Sequence, residues 1–241
     1  MSADLLPTAT SPEVRAAGAA VAVLPVGSFE QHGPHLPLTT DTLIACLIAR
    51  ETAATYSLFL LPPITISCSH EHAAFPGTVS LSATTLIRVI DDIAQSLHQS
   101  GVRHLVIVNG HGGNYVLSNI VQQANVSGSR MSLFPGRDDW AAARELAGMQ
   151  TTVSEDMHAG ELETSIVLGS QDDLVRPSYL ESDNVANPRP DLLTLGIREY
   201  APTGVIGRPS VATAEKGKKA LETLIDRFGR HLGVLTRDPQ R

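Results

Sequence analysis

The residues with the strongest claim to chemistry are Glu30, His32, Asp41 and His111. Together they offer carboxylate oxygen and imidazole nitrogen. That mixture suits Zn, Mn, Fe or Co better than Ca, which prefers oxygen alone, or a thiolate site. Glu30-Gln31-His32 follows the apolar run Val21 to Val26 and Gly27. If the chain stays extended there, Glu30 and His32 point to one side and Gln31 to the other. Pro34 and Pro37 then stiffen the bend that returns the chain to Asp41. Taken alone, Asp41 reads as a helix cap. Taken with its neighbours, its two oxygens can bridge a pair of metals ~3.5–4 Å apart that hold a hydroxide for hydrolysis.

A second cluster runs from His158 through Glu161 and Glu163 to Ser165. On a helix, Glu161 and Glu163 lie about 200° apart and cannot both face one site. Glu163 shares its face with Ile166 and Val167, which favours it as the inward carboxylate. His158 can serve as general acid or base near neutral pH. A third group, Ser69-His70-Glu71-His72, can contact substrate, support the metal ligands or form another metal site; contact or support is the preferred reading. Gly112 and Gly113 can let backbone amides approach a substrate, but they lack the spacing of a dinucleotide fingerprint. Cys68 has no feature to activate it as a nucleophile.

The elements that must position these residues alternate. Val21–Val26 and Leu105–Val108 read as buried strands, Met131–Phe134 as another, and Leu58–Leu61 and Ile64–Ser67 as strand pieces around Pro62-Pro63. Apolar residues at helical spacing predict helices through Leu43–Ile48, Leu86–Leu97, Asp138–Ala147, 159–169 and 212–235, and the turn Gly110–Asn114 leads into another through Ile120. Residues 1–15 read as a loose arm, with 1–12 a loose stretch or a short helix lead-in, and 177–209 as a long connecting segment that covers the site or meets another subunit. Strand–helix alternation implies one α/β domain over 1–241, with a mostly parallel sheet in three α/β/α layers. Ligands in such folds bind beyond the carboxyl ends of the strands, where Glu30, His32 and His111 fall.

The net charge of −7 and the absence of a basic cluster argue against a nucleic-acid partner. No apolar run approaches the ~20 residues of a membrane span, and the segment before Val21 lacks the basic start of a signal peptide. The two cysteines, Cys46 and Cys68, suit a reducing compartment, so the expected location is cytoplasmic.

The strings LPVGSFEQHGPHLPLTTD, SHEHAAFPGTVSL, VNGHGGN, HAGELETS and GRPSVATAEKG, spread over residues 24–217, resemble the creatininase (creatinine amidohydrolase) family in content and order. The resemblance implies a three-layer α/β/α fold, a dinuclear metal site, hydrolysis of amide-type C–N bonds and assembly as a homo-oligomer, commonly a hexamer. It implies Glu30, His32, Asp41 and His111 as ligands, with Asp41 bridging, His158 as the catalytic histidine and Ser69 as a substrate contact. Glu71, His72, Gly112, Gly113 and Asn114 fall in the motifs around the substrate. Creatininases proper carry a further ligand Glu at the position of Gly113. The chain instead resembles an HGGN subgroup in which a later Glu, here Glu163, completes the site. The expected activity is therefore metal-dependent cleavage of a non-peptide or cyclic amide in a small molecule, with two divalent ions, zinc ahead of manganese or iron. The alternatives are a peptidase acting on a small precursor peptide of the mycofactocin type, a formamide deformylase, or a metal-binding scaffold without activity.

Overall fold

The computed structural model describes residues 5–126, 128 and 130–237. The apolar run Val21–Val26 forms β1 and is buried along its whole length. A parallel strand covered by helices on both faces has no solvated side, so its sequence need not alternate. Around it, β2 (Phe59–Leu60), β3 (His104–Asn109) and β4 (Arg130–Phe134) complete an all-parallel sheet in the order β2-β1-β3-β4. Val21 pairs with His104 and Val26 with Asn109, so β1 and β3 end level. Whatever follows them emerges side by side.

Successive strand residues feed opposite faces of the sheet. Val23, Val106, Val108 and Phe134 pack against Ile44, Ile48, Ile166, Leu224 and Phe228. Those partners belong to α2 (Thr40–Tyr56), α6 (Glu161–Ser170) and α8 (Ala214–Leu235), with α5 (Arg137–Leu146) on the same side. On the other face, Ala22, Leu24, Leu105 and Ile107 meet Leu86, Ile90, Leu117 and Ile120 from α3 (Ala83–Gln99) and α4 (Val116–Val126). The result is the three-layer α/β/α arrangement. Each fully buried Leu, Ile or Phe contributes ~1.5–3 kcal/mol, so both faces are needed to hold the sheet.

Two local expectations need correction, and a third gains detail. Of the segment 1–15, expected as a loose arm, residues 1–4 lie outside the described residues and 11–15 begin a helix, α1 (Ser11–Ala17). Glu13 accepts from the Thr10 backbone N–H, Pro12 sits in the first turn where its missing N–H costs nothing, and Gly18 closes the helix at φ 58°. Leu5 is buried against the first core. Ile64–Ser67 is no strand. Pro62 and Pro63 have no N–H to extend the ladder, and only a single bridge, Val26 to Ile64, survives. Finally, 177–209 is built of short helical turns, including α7 (Leu192–Leu195), over a small core of Ile197, Ala201 and Ile206. It folds back on the ends of the strands: Ile206 exchanges backbone hydrogen bonds with His158, and Gly204 offers its carbonyl to the Gln31 amide.

Candidate metal centre

After β1 the Gly27 N–H still bonds to Ile64, and the chain then leaves the sheet through Ser28, Glu30 and His32. The bend through Pro34 and Pro37 leads into α2. There Asp41 lies in the first turn, where the positive end of the helix dipole favours a carboxylate. Asp41 is not a cap: Thr39 holds the cap position and no side chain caps this end. Its carboxylate turns inward, and Ser28 Oγ donates to Oδ2 at 2.6 Å. β3 reaches the same place because residue 110 is glycine. A Cβ there would lie 2.2 Å from the Asp41 carbonyl oxygen, so only a bare backbone permits the approach. That approach sets His111 Nδ1 3.0 Å from Asp41 Oδ2 and 3.1 Å from Glu30 Oε1.

The ligand-type atoms fall into overlapping groups, each with members within 4.8 Å of one another: Glu30, Asp41 and His111; His32, Asp41 and Glu163; and Glu30, His32 and His158. Asp41 belongs to the first two. Its Oδ2 faces His111 while its Oδ1 lies 3.1 Å from His32 Nε2. Glu163 Oε2 is 4.0 Å from the same His32 nitrogen.

Hydrogen bonds to the far side of each ring indicate which nitrogen is left for the site. His32 Nδ1 lies 3.1 Å from the Glu30 carbonyl, His111 Nε2 2.9 Å from the Cys68 carbonyl, and His158 Nε2 2.7 Å from the Gln31 carbonyl. A carbonyl only accepts, so each of these nitrogens donates. The opposite nitrogen of each ring then presents its lone pair inward whenever the ring is neutral. Both Glu30 oxygens are buried without an aligned hydrogen bond. Orphaned carboxylate oxygens facing imidazole lone pairs fit a divalent cation, and fit little else.

The electrostatics agree. Burial, reinforced by the Asp41 charge, raises the Glu30 pKa. Burial also raises Asp41, but His32 and His111 outweigh it and hold this carboxyl well below its ordinary value. Burial would lower His32, yet Asp41, Glu163 and Glu30 lift it to about 9; in His111 burial is likewise outweighed, by Glu30 and Asp41. The pocket demands positive charge, and without metal it takes that charge as protons. His158 goes the other way. Burial, then the charges on His32 and His72, push its pKa well down and keep it neutral. Burial raises Glu163 to about 7.

Of the two candidate glutamates on α6, only Glu163 faces this cluster. Glu161 is spoken for by the backbone N–H groups of Gln150 and Thr151, by Thr151 Oγ1 at 2.7 Å and by Lys216 Nζ at 2.5 Å. Glu71 approaches His111 Nε2 to 3.6 Å, and a Cβ on Gly113 would lie 1.8 Å from Glu71 Oε1. A side chain at 113 would therefore require Glu71 to move. Ser69 Oγ is buried and has no hydrogen-bond partner. His72 Nε2 lies 3.2 Å from Glu30 Oε1. Asn114 bonds to the Cys68 backbone and to Asn109, bracing the turn, and a Cβ at Gly112 would meet nothing within 4 Å. Sequence reasoning missed Ser28 and the inward role of Gln31. A small hydroxyl residue between a buried strand and the acidic motif was the only available signal for the first. The second had none, because the extended-chain picture turned Gln31 away.

Parallel strands ending level, with carboxylates and imidazoles gathered beyond them, define an α/β protein built around a polar cluster of metal-ligand type. Comparison with known proteins gives the family. A family model for creatininase, creatinine amidohydrolase, matches residues 7–232. The mycofactocin precursor peptide peptidase of Mycobacterium ulcerans is 35% identical over 218 residues, covering 85% of this chain and 81% of the relative. The creatinine amidohydrolase of Pseudomonas putida is 28% identical over 230 residues, covering 87% of each. The solved structure of creatininase Mn superposes with a TM-score of 0.79 at 25% identity, covering 95% of this chain and 97% of that one. The chain belongs to the creatininase family of amide-bond hydrolases.

Proposed function

We propose that this chain is a dinuclear metal-dependent amidohydrolase. Glu30, Asp41 and His111 would hold one divalent ion, and His32, Asp41 and Glu163 the other. The observation that carries the reading is Asp41, which lies in both groups and turns a different oxygen to each imidazole. The donors are carboxylate and imidazole only, which favours zinc, with manganese or iron as alternatives. When bound, the ions supply Lewis-acid polarisation of the amide carbonyl and activation of water. His158 handles the proton. Its Nε2–H is committed to the Gln31 carbonyl and its Nδ1 lies 3.8 Å from Glu30 Oε1, so Nδ1 is the atom that takes a proton and passes it to the leaving nitrogen. The buried Ser69 hydroxyl, which has no hydrogen-bond partner, is the group assigned to orient the substrate.

The substrate class is a small molecule with an amide C–N bond. A second reading, cleavage of a short precursor peptide, is favoured by the higher identity to the peptidase than to creatinine amidohydrolase. Gly113 favours it too, since the extra ligand of creatininases proper has no side chain to supply it here. Among the described residues no helix is long and apolar enough to cross a membrane, and Cys46 and Cys68 are buried free thiols, which supports a cytoplasmic, reducing setting. Assembly as a homo-oligomer, commonly a hexamer in the family, is the expected quaternary state, and light scattering checks it.

The deciding experiment is metal analysis joined to a substrate panel of creatinine, other lactams, formamides and short peptides. Close to two metals per chain and turnover of one class support the reading. Protein that takes up no metal on readdition would sink it. Metal uptake without turnover across the panel would favour the scaffold alternative.

A further inference from the structure

His72 differs from the other imidazoles around the cluster. Its outward nitrogen, Nδ1, lies 2.9 Å from the Gln31 amide nitrogen and not from a carbonyl. Two further contacts fix which way that amide points: the Gly33 N–H donates to Gln31 Oε1 at 2.9 Å, and Gln31 Nε2 donates to the Gly204 carbonyl at 3.1 Å. An amide NH2 group only donates, so His72 Nδ1 accepts. The one proton of the neutral ring therefore sits on Nε2, which lies inward, 3.2 Å from Glu30 Oε1. His32, His111 and His158 each give a proton to a backbone carbonyl on the far side, and His72 alone is arranged in reverse. Both partners of the lock are buried.

We propose that His72 is the positioning residue of Glu30. Gln31 locks its proton on Nε2, so the ring turns an N–H, short of an aligned hydrogen bond, toward Glu30 Oε1 at 3.2 Å and stays out of the ligand set. The proposal rests on the dinuclear reading for its consequence, though the lock itself does not. It accounts for a buried histidine close to the ligands that belongs to none of the ligand groups. It also extends the site outward: through Gln31 and the Gly204 carbonyl, the orientation of Glu30 is tied to the 177–209 segment.

The test is long-range proton–nitrogen spectroscopy of 15N-labelled, zinc-loaded protein. The expected spectrum gives His72 a protonated Nε2 and a bare Nδ1 with no zinc shift. Gln31→Glu puts an acceptor opposite Nδ1 and should move the proton there. Zinc affinity, read by chelator competition, should fall about 10–100-fold in His72→Phe, which keeps a ring but loses the donor. His72→Gln, which retains an N–H, should recover most of that loss. A proton on Nδ1 in the wild-type protein, a zinc-coordinated His72, or unchanged zinc affinity in a folded His72→Phe would each overturn the proposal. If the wild-type protein takes up no zinc, the dinuclear reading fails, while the spectrum of the metal-free protein still decides the lock. If His72→Phe does not fold, the wild-type and Gln31→Glu spectra decide.

Discussion

Helix α6 separates two buried acidic networks, and Glu161 and Glu163, two residues apart, belong to different ones. On one side, Glu161 accepts from Gln150, Thr151 and Lys216, while Asp156 takes the Glu161 and Leu162 N–H groups and pairs with Arg144 at 2.8 Å. On the other side, Glu163 accepts only from the Ala159 N–H at 2.6 Å, and Glu30 has no aligned donor at all. The protonation tendencies follow. Burial acts to raise both carboxyls, but Lys216 and the Thr151 and Gln150 donors reverse it in Glu161, whereas Glu163 is left at about 7. A buried acid whose lone pairs are all answered holds the fold together. A buried acid with unspent lone pairs facing imidazole is waiting for a cation. The first network also serves the second: by capping and anchoring α6, it fixes which face Glu163 presents.

The largest expected effect that would break this contrast is on Asp41. Asp41→Ala should lose both metals and all turnover, as read by metal analysis and assay, because it removes the one residue shared by both groups. Retention of one full equivalent would show that the two groups are independent. Next, His158→Ala should lower kcat by about 10²–10⁴-fold with metal content unchanged. Metal loss in that variant would make His158 a ligand.

The glutamate pair sharpens the contrast further. Glu163→Gln should lose one metal with little change in the stability of the metal-free protein. Glu161→Gln should keep both metals and lose about 3 kcal/mol in urea denaturation, having left Lys216 without its partner. The opposite pattern would exchange the roles of the two faces. The smallest effect is on pH dependence. In the metal-free protein Asp41 and Glu163 hold the His32 pKa at about 9, so His32 is protonated at neutral pH and a metal must displace that proton. Uptake at the His32 position should rise about tenfold per pH unit between pH 7 and 9 and weaken as pH falls, and the His111 position, whose imidazole is raised as well, should follow in the same direction. Calorimetry in two buffers of different ionisation heat reports the released proton. Affinity independent of pH over that range would remove His32 and His111 as protonated ligands, and the same flat profile confined to His32→Ala would assign the dependence to His32.

Much of this was legible in the chain. The continuous apolar runs at Val21–Val26 and Leu105–Val108 had to be strands covered on both faces, and the helical stripe around Leu86 and Ile90 had to pack on a sheet. Glu30, His32 and His111 stood out because chemistry-bearing residues followed those strands directly. The preference for Glu163 over Glu161 came from helical periodicity, and the geometry places Glu163 toward the cluster. Other features were out of reach. The helix at Ser11–Ala17 depends on a local cap read too weakly, and Ile64–Ser67 looked like a strand until its two prolines were weighed.

Residue types and their local period thus determined the layers of the fold and the kind of chemistry at the strand ends. Both are short-range properties, set by backbone geometry and by the chemistry of single side chains. Only the tertiary structure decided which polar groups meet. Ser28 on Asp41, the Gln31 amide on His72, and the Gln31 carbonyl on His158 join residues from 13 to 127 positions apart. Such distances follow from the shared register of β1 and β3 and from the anchoring of α6, which no local pattern encodes.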